Sequence, residues 1–138
     1  RSHEALVVAL YDRGNVPPQI SSTEAQIPRD EEFKMIKVSV MYPFAPNARF
    51  DHAYYRDQHM PMVKAKMGDA CKYYTVDKGL AGGAPGTQPT YIGMCHIFSD
   101  SIEAFQAGFG PHAKEILADI KNYTDLTPVM QISEVVVG

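Results

Sequence analysis

From Met35 onward the chain switches between two hydrophobic periods. Ile36, Val38, Val40 and Tyr42 alternate with Lys37, Ser39 and Met41, the two-residue period of a strand with unlike faces. Pro43, Pro46 and Asn47 end that strand. Asp51 then stands as an N-cap, with Phe50 before it and Tyr55 at the fourth helical position placed to pack as a hydrophobic staple. The helix is predicted to run to about Met67, where Gly68 supplies a stop. Residues 70–78 and 90–98 are rich in strand formers and are joined by the glycine-rich loop 79–86. Asp100 with Glu103 three residues on predicts the capped start of a second helix carrying Ile102, Phe105 and Phe109. Gly108, Gly110 and Pro111 interrupt it before a continuation with Ile116 and Leu117. A last strand is predicted over 129–137.

The order is β-α-β-β-α-β, which defines an α+β, ferredoxin-like fold: a four-stranded antiparallel sheet with both helices on one face. The other sheet face is left bare. Apolar residues on such a face need a cover, and a second copy of the chain supplies it most simply, so a homodimer is expected.

Residues 1–34 differ in character. They hold one short apolar stretch, 5–11, then Gly14, Pro17-Pro18, a Ser-Ser-Thr cluster, Pro28 and the acidic run Asp30-Glu31-Glu32. That composition predicts an arm outside a domain of residues 35–138, adding contacts to a neighbouring subunit and through them a higher oligomer. The apolar stretch, flanked by Glu4 and Asp12, is too short for a signal peptide. A net charge of −3 with no Lys/Arg cluster speaks against nucleic acid as a partner. No run approaches the roughly 18–20 apolar residues of a membrane span. With Cys71 and Cys95 far apart, neither a disulfide framework nor a CxxC metal site is expected, and a reduced, cytoplasmic protein is.

The richest chemistry lies in Phe50-Asp-His-Ala-Tyr-Tyr-Arg-Asp-Gln-His-Met-Pro-Met-Val63. Tyr55, His59, Met62 and Val63 share a helical stripe, so His59 occupies a position suited to an apolar side chain. Pro61 removes a backbone hydrogen bond and strands the carbonyl of Asp57, predicting a bend near His59. Two accounts fit His59: a core histidine satisfied by a neighbour, or a general acid/base in an apolar pocket beside a tyrosine. Spacing alone leaves both open.

His96 shares a strand face with Ile92, Met94 and Phe98 and is expected to look inward, with Asp77 on the preceding strand a candidate partner. His112 follows Pro111 at the second helix break, where surface or capping roles are common. No metal is expected, since the histidines lack ligand spacing and Cys95 and His96 point to opposite faces. No nucleotide cofactor is expected either: loop 79–86 lacks GxGxxG and leads to a strand. A Gly-x-Ser-x-Gly elbow is missing too.

Taken together, Met-Ile-Lys-Val-Ser-Val-Met-Tyr-Pro at 35–43, Arg-Phe-Asp with Tyr-Tyr and His-Met-Pro at 49–61, the Gly-Gly-Ala-Pro-Gly loop and Phe-Gly-Pro-His at 109–112 resemble the EthD family of the dimeric α/β-barrel superfamily. The resemblance covers residues 35–138. It implies a homodimer with sheets packed face to face and a cleft between sheet and helices in each subunit. It also implies a cofactor-independent enzyme, an oxidoreductase, monooxygenase-like or isomerase-like, acting on a small apolar or aromatic oxygenated compound in a degradation or tailoring pathway, ether degradation among them. The alternative is a non-catalytic ligand-binding or accessory module. His59 matches the family's His-x-Pro motif and Tyr55 its adjacent tyrosine. The expected catalytic set is His59 as general acid/base, with Tyr55 and, from its strand position, His96 orienting the substrate. Tyr54, Met62, Met94, Phe98, Phe109 and His112 are expected to contact the substrate.

Overall fold

The computed structural model describes residues 35–138; the arm expected over 1–34 lies outside the described residues. Strand β1 (Ile36–Pro43) is followed by a three-part first helix. It consists of α1 (His52–Tyr54), a π turn (Tyr55–His59) and α2 (Met60–Met67), then a short 3-10 turn (Gly68–Ala70). Strands β2 (Tyr73–Lys78) and β3 (Tyr91–Ser99) come next. The second helical layer is α3 (Ile102–Phe109), a 3-10 turn (Gly110–His112), α4 (Ala113–Ala118) and a 3-10 turn (Ile120–Asn122), and β4 (Val129–Glu134) closes the fold. The sheet order is β2-β3-β1-β4 with every pair antiparallel, so the βαββαβ expectation holds.

Local chemistry explains most boundaries. The Asp51 carboxylate accepts from the Tyr54 backbone N–H at 3.0 Å, and the Phe50 and Tyr55 rings meet at 5.2 Å, which is the predicted cap and staple. Gly68 ends the helix with φ +59°, a left-handed value that suits glycine. The second cap differs from expectation. Ser101, not Asp100, accepts from the Ala104 N–H at 3.0 Å, because the helix begins one residue later. Gly108 does not interrupt α3. A Cβ there would lie 2.2 Å from that of Ala70, so glycine permits the close crossing of α3 over the 3-10 turn; the real break is at Gly110–His112.

The bend expected from Pro61 takes the form of the π turn: the Met60 N–H reaches back to the Tyr55 carbonyl. One extra residue in that turn brings both His59 and Met60 inward and leaves Met62 only half-buried. The core lies between the sheet and the helices, built on Val38, Tyr42, Tyr55, Val63, Phe105 and Tyr123. Each such side chain contributes roughly 1.5–3 kcal/mol by leaving water.

β3 corrects one expectation. Gly93, Cys95, Ile97 and Ser99 face the helices, whereas Met94, His96 and Phe98 lie on the open side. The strand is apolar on both faces, and small residues face inward because the helical layer approaches closely. Phe50 ring atoms would lie 3.0 Å from a Cβ at Gly93, and Ser99 Oγ donates to the Ala70 carbonyl at 2.6 Å. Among the described residues no helix is long and apolar enough to cross a membrane.

Candidate functional site

A cavity of about 30 Å³ opens between the sheet and the helical layer, room for roughly two waters. Its wall includes Val40 and Tyr42 of β1, Tyr55, His59 and Met60 of the first helix, Cys95 of β3, Phe109 of α3 and Met130 of β4. The sequence stripe thus delivers Tyr55, His59 and Phe109 to one place.

His59 is held from both sides. Its Nδ1 lies 2.9 Å from Asp119 Oδ2, and the Tyr123 hydroxyl lies 3.4 Å from Nε2. The Tyr55 ring stacks on the imidazole at 5.5 Å and 13°. Asp119 follows α4 and is itself clamped: the Tyr54 hydroxyl and the Asn122 amide both donate to Oδ1 at 2.8 Å. Tyr123 is completely buried, and its hydroxyl lies 2.6 Å from that of Tyr42. The segment reaches this position because it is sewn to the start of α1. The Asp51 N–H donates to the Tyr123 carbonyl at 2.8 Å, and Thr124 Oγ1 donates to the Arg49 carbonyl at 2.6 Å.

The electrostatics follow from burial and partners. Burial holds the His59 pKa below 6.5, outweighing the Asp119 carboxylate that works in the opposite direction. At Asp119 burial pushes the carboxyl up, but hydrogen bonds from His59, Asn122 and Tyr54 together win and leave it below its ordinary value. The pair is therefore a neutral imidazole beside an ionised carboxylate. Asp119 can only accept, so Nδ1 carries the proton and the Nε2 lone pair faces the Tyr123 hydroxyl. Burial raises Tyr42, Tyr55 and Tyr123 well above the ordinary phenol range, and all three stay protonated. The Cys95 thiol is pushed up to about 12 by the same cause, which removes it as a nucleophile.

The remaining expected residues divide. Tyr54 meets Asp119 but is not in the cavity wall. Met62 packs at the edge of the core, and His112 sits at the surface with Nδ1 3.9 Å from Glu115 Oε1; neither reaches the cavity. Met94, His96 and Phe98 stand across the sheet from it. There His96 Nδ1 lies 2.7 Å from Ser39 Oγ and Nε2 3.2 Å from Asp77 Oδ2, while Phe98 stacks on Tyr73 at 4.3 Å. The sheet thus separates His96 from His59, and the two cannot act on one bound molecule within a subunit.

Asp119, Tyr123 and Tyr42 were missed as site residues. Tyr42 reads as one more apolar position of β1. Asp119 lies sixty positions from His59 with no motif linking them. Tyr123 carried a usable signal, a lone aromatic among Lys121, Asn122, Thr124 and Asp125. Among the described residues no group of three or more His, Cys, Asp or Glu side chains is placed to hold a metal ion.

The fold and site define the class: a βαββαβ ferredoxin-like protein with a histidine–carboxylate pair at the cavity between sheet and helices. The family follows from comparison, since the EthD domain matches residues 47–127 and the chain belongs to that family. An EthD-like protein from Ralstonia eutropha JMP134 is 62% identical over 75% of this chain and 94% of its own, with a TM-score of 0.73. An EthD-family protein from Bacillus halodurans C-125 is 18% identical over 72% of this chain and 97% of its own, with a TM-score of 0.50, a likeness of fold alone. Among curated proteins no sequence matches the chain.

Proposed function

We propose that the chain is an enzyme for a small apolar or aromatic oxygenated compound in a degradation or tailoring pathway, with its chemistry carried by side chains and His59 as the general base. The observation that carries this reading is the 2.9 Å bond from His59 Nδ1–H to the Asp119 carboxylate at the cavity wall. It fixes the tautomer, leaves Nε2 able to take a proton, and stabilises the imidazolium that would result.

The test is deuterium uptake from heavy water into the ring carbons of resorcinol, an exchange that deprotonation of its hydroxyl activates. The wild-type protein should accelerate exchange and His59→Gln should not. Equal exchange by both proteins would return His59 to a purely structural role and leave the accessory-module reading in place.

The same proposal takes the working unit as a homodimer joined through the open sheet face. Tyr73 with Phe98 at one end of that face and Met41, Met94 and Val129 at the other form apolar patches on either side of the polar Ser39, Thr75 and His96, and Tyr73 and Val129 are about half exposed in the single chain. Such patches on a sheet without helices suit an isologous contact with a second copy.

A further inference from the structure

The hydrogen bonds around His59 have a direction. Asp119 accepts from Nδ1–H, so Nε2 must accept, and the Tyr123 hydroxyl is its donor at 3.4 Å. With its proton committed to Nε2, Tyr123 oxygen is the acceptor of the 2.6 Å bond, and Tyr42 donates. Every donor then points toward Asp119, and the chain begins at the Tyr42 oxygen. Tyr42 lines the cavity, whereas Tyr123 fills the space behind the wall. The Tyr55 hydroxyl already bonds to the Tyr42 oxygen, which leaves that oxygen one lone pair for another donor.

Resting on the reading of His59 as a base, we propose that the cavity selects a ligand bearing a hydroxyl donor, which hydrogen-bonds to the Tyr42 oxygen and passes its proton through Tyr123 to His59. In that step the ligand O–H bond breaks and its electron pair stays on the ligand oxygen. Tyr42 takes that proton and releases its own to Tyr123, Tyr123 releases its own to His59 Nε2, and the imidazolium formed is paired with Asp119. Each tyrosine ends neutral, with its hydrogen bond reversed. Tyr42 is the residue that touches the ligand, and Tyr123 acts through it. Ring-sized ligands require the walls to give, and the unbranched Met60 and Met130 in the lining are suited to that.

The test uses phenol, anisole and toluene, which share a ring and differ in offering a donor, an acceptor only, or neither. Titration calorimetry on the full chain should find phenol at least about ten-fold tighter than the other two, the worth of roughly one good hydrogen bond. Tyr42→Phe should bring phenol down to the level of toluene while toluene affinity stays the same. Tyr123→Phe should weaken the phenol preference with the His59 Nδ1–H signal retained in the nitrogen NMR spectrum. Equal binding of phenol and toluene, binding of anisole as tight as phenol, or binding of none of the three each overturns the proposal. A phenol preference that survives Tyr42→Phe and disappears in His59→Gln overturns the tyrosine path alone, and leaves His59 standing as a base that meets the ligand directly.

Discussion

Two histidines stand on opposite sides of one sheet, each with a carboxylate, and they teach different things. The helix-side pair is His59 with Asp119 at 2.9 Å, the side chains 6% and 18% exposed. The open-side pair is His96 with Asp77 at 3.2 Å, at 15% and 49%. The composition is nearly the same, but the surroundings are not. Asp119 is held by three donors and His59 is stacked against a tyrosine beside a cavity. His96 bridges Ser39 and Asp77 on a strand surface whose backbone amides are committed to the ladder, and it does not line the cavity. Pairing a histidine with a carboxylate does not make a site; depth, a void and fixed orientation do.

Six substitutions break or sharpen this contrast. The largest effect should come from the packing that creates the helix side. Phe105→Ala, at a fully buried ring, is expected to cost about 3–5 kcal/mol in urea denaturation. Phe98→Glu on the open face should instead act on assembly, turning a dimer with a total interface above about 1,200 Å² into a monomer by sedimentation. A wild-type monomer at micromolar concentration would remove the open face as an interface.

Next comes the carboxylate on the helix side. Asp119→Ala leaves the buried Nδ1–H of His59 without its acceptor and should cost about 1–2 kcal/mol, reduced from the fully buried case by its partial exposure. It should also lower the His59 pKa further in an NMR titration, and an unchanged titration would show that the pair is not coupled. His59→Ala should cost less than the loss of Asp119. Both of its partners keep other bonds, Asp119 to Tyr54 and Asn122, and Tyr123 to Tyr42.

The third effect is pH dependence. The folded His59 pKa lies below the unfolded value of 6.5, so below that pH the unfolded chain takes up a proton that the folded protein does not. Stability should therefore fall on acidification through about 6.5, by at most about 1.4 kcal/mol per pH unit, until folded His59 also charges. His59→Gln should flatten that part of the curve, and an unchanged slope would place its cause elsewhere. The smallest effect belongs to the open side: Asp77→Ala, at a half-exposed carboxylate, should cost less than about 1 kcal/mol. A loss equal to that of Asp119→Ala would erase the distinction between the two pairs.

Much of the fold was legible along the chain. Alternation marked β1, Asp51 and Phe50 marked the start of the first helix, Gly68 its end, and Pro61 the disturbance at His59. The order of elements then left little choice of topology. The site was legible only in part. Tyr55, His59 and Phe109 followed from helical stripes, whereas His96, Met94 and Phe98 were assigned to the wrong face. Alternation carries information only when one face is polar, and β3 is apolar on both.

What the amino-acid sequence determined by itself is whatever depends on neighbours within a few positions: the period of each element, its caps, its breaks and the inward place of His59. What only the tertiary structure decided is what depends on chain segments meeting from afar. Asp119 and Tyr123 enter the site because backbone bonds from residues 123–124 to residues 49–51 bring that segment against the first helix. The inward face of β3 was chosen by how closely the helices approach it. Hydrogen bonding and steric contact act over only a few ångströms. Local pattern therefore places a side chain on an element, and packing alone decides which others it meets.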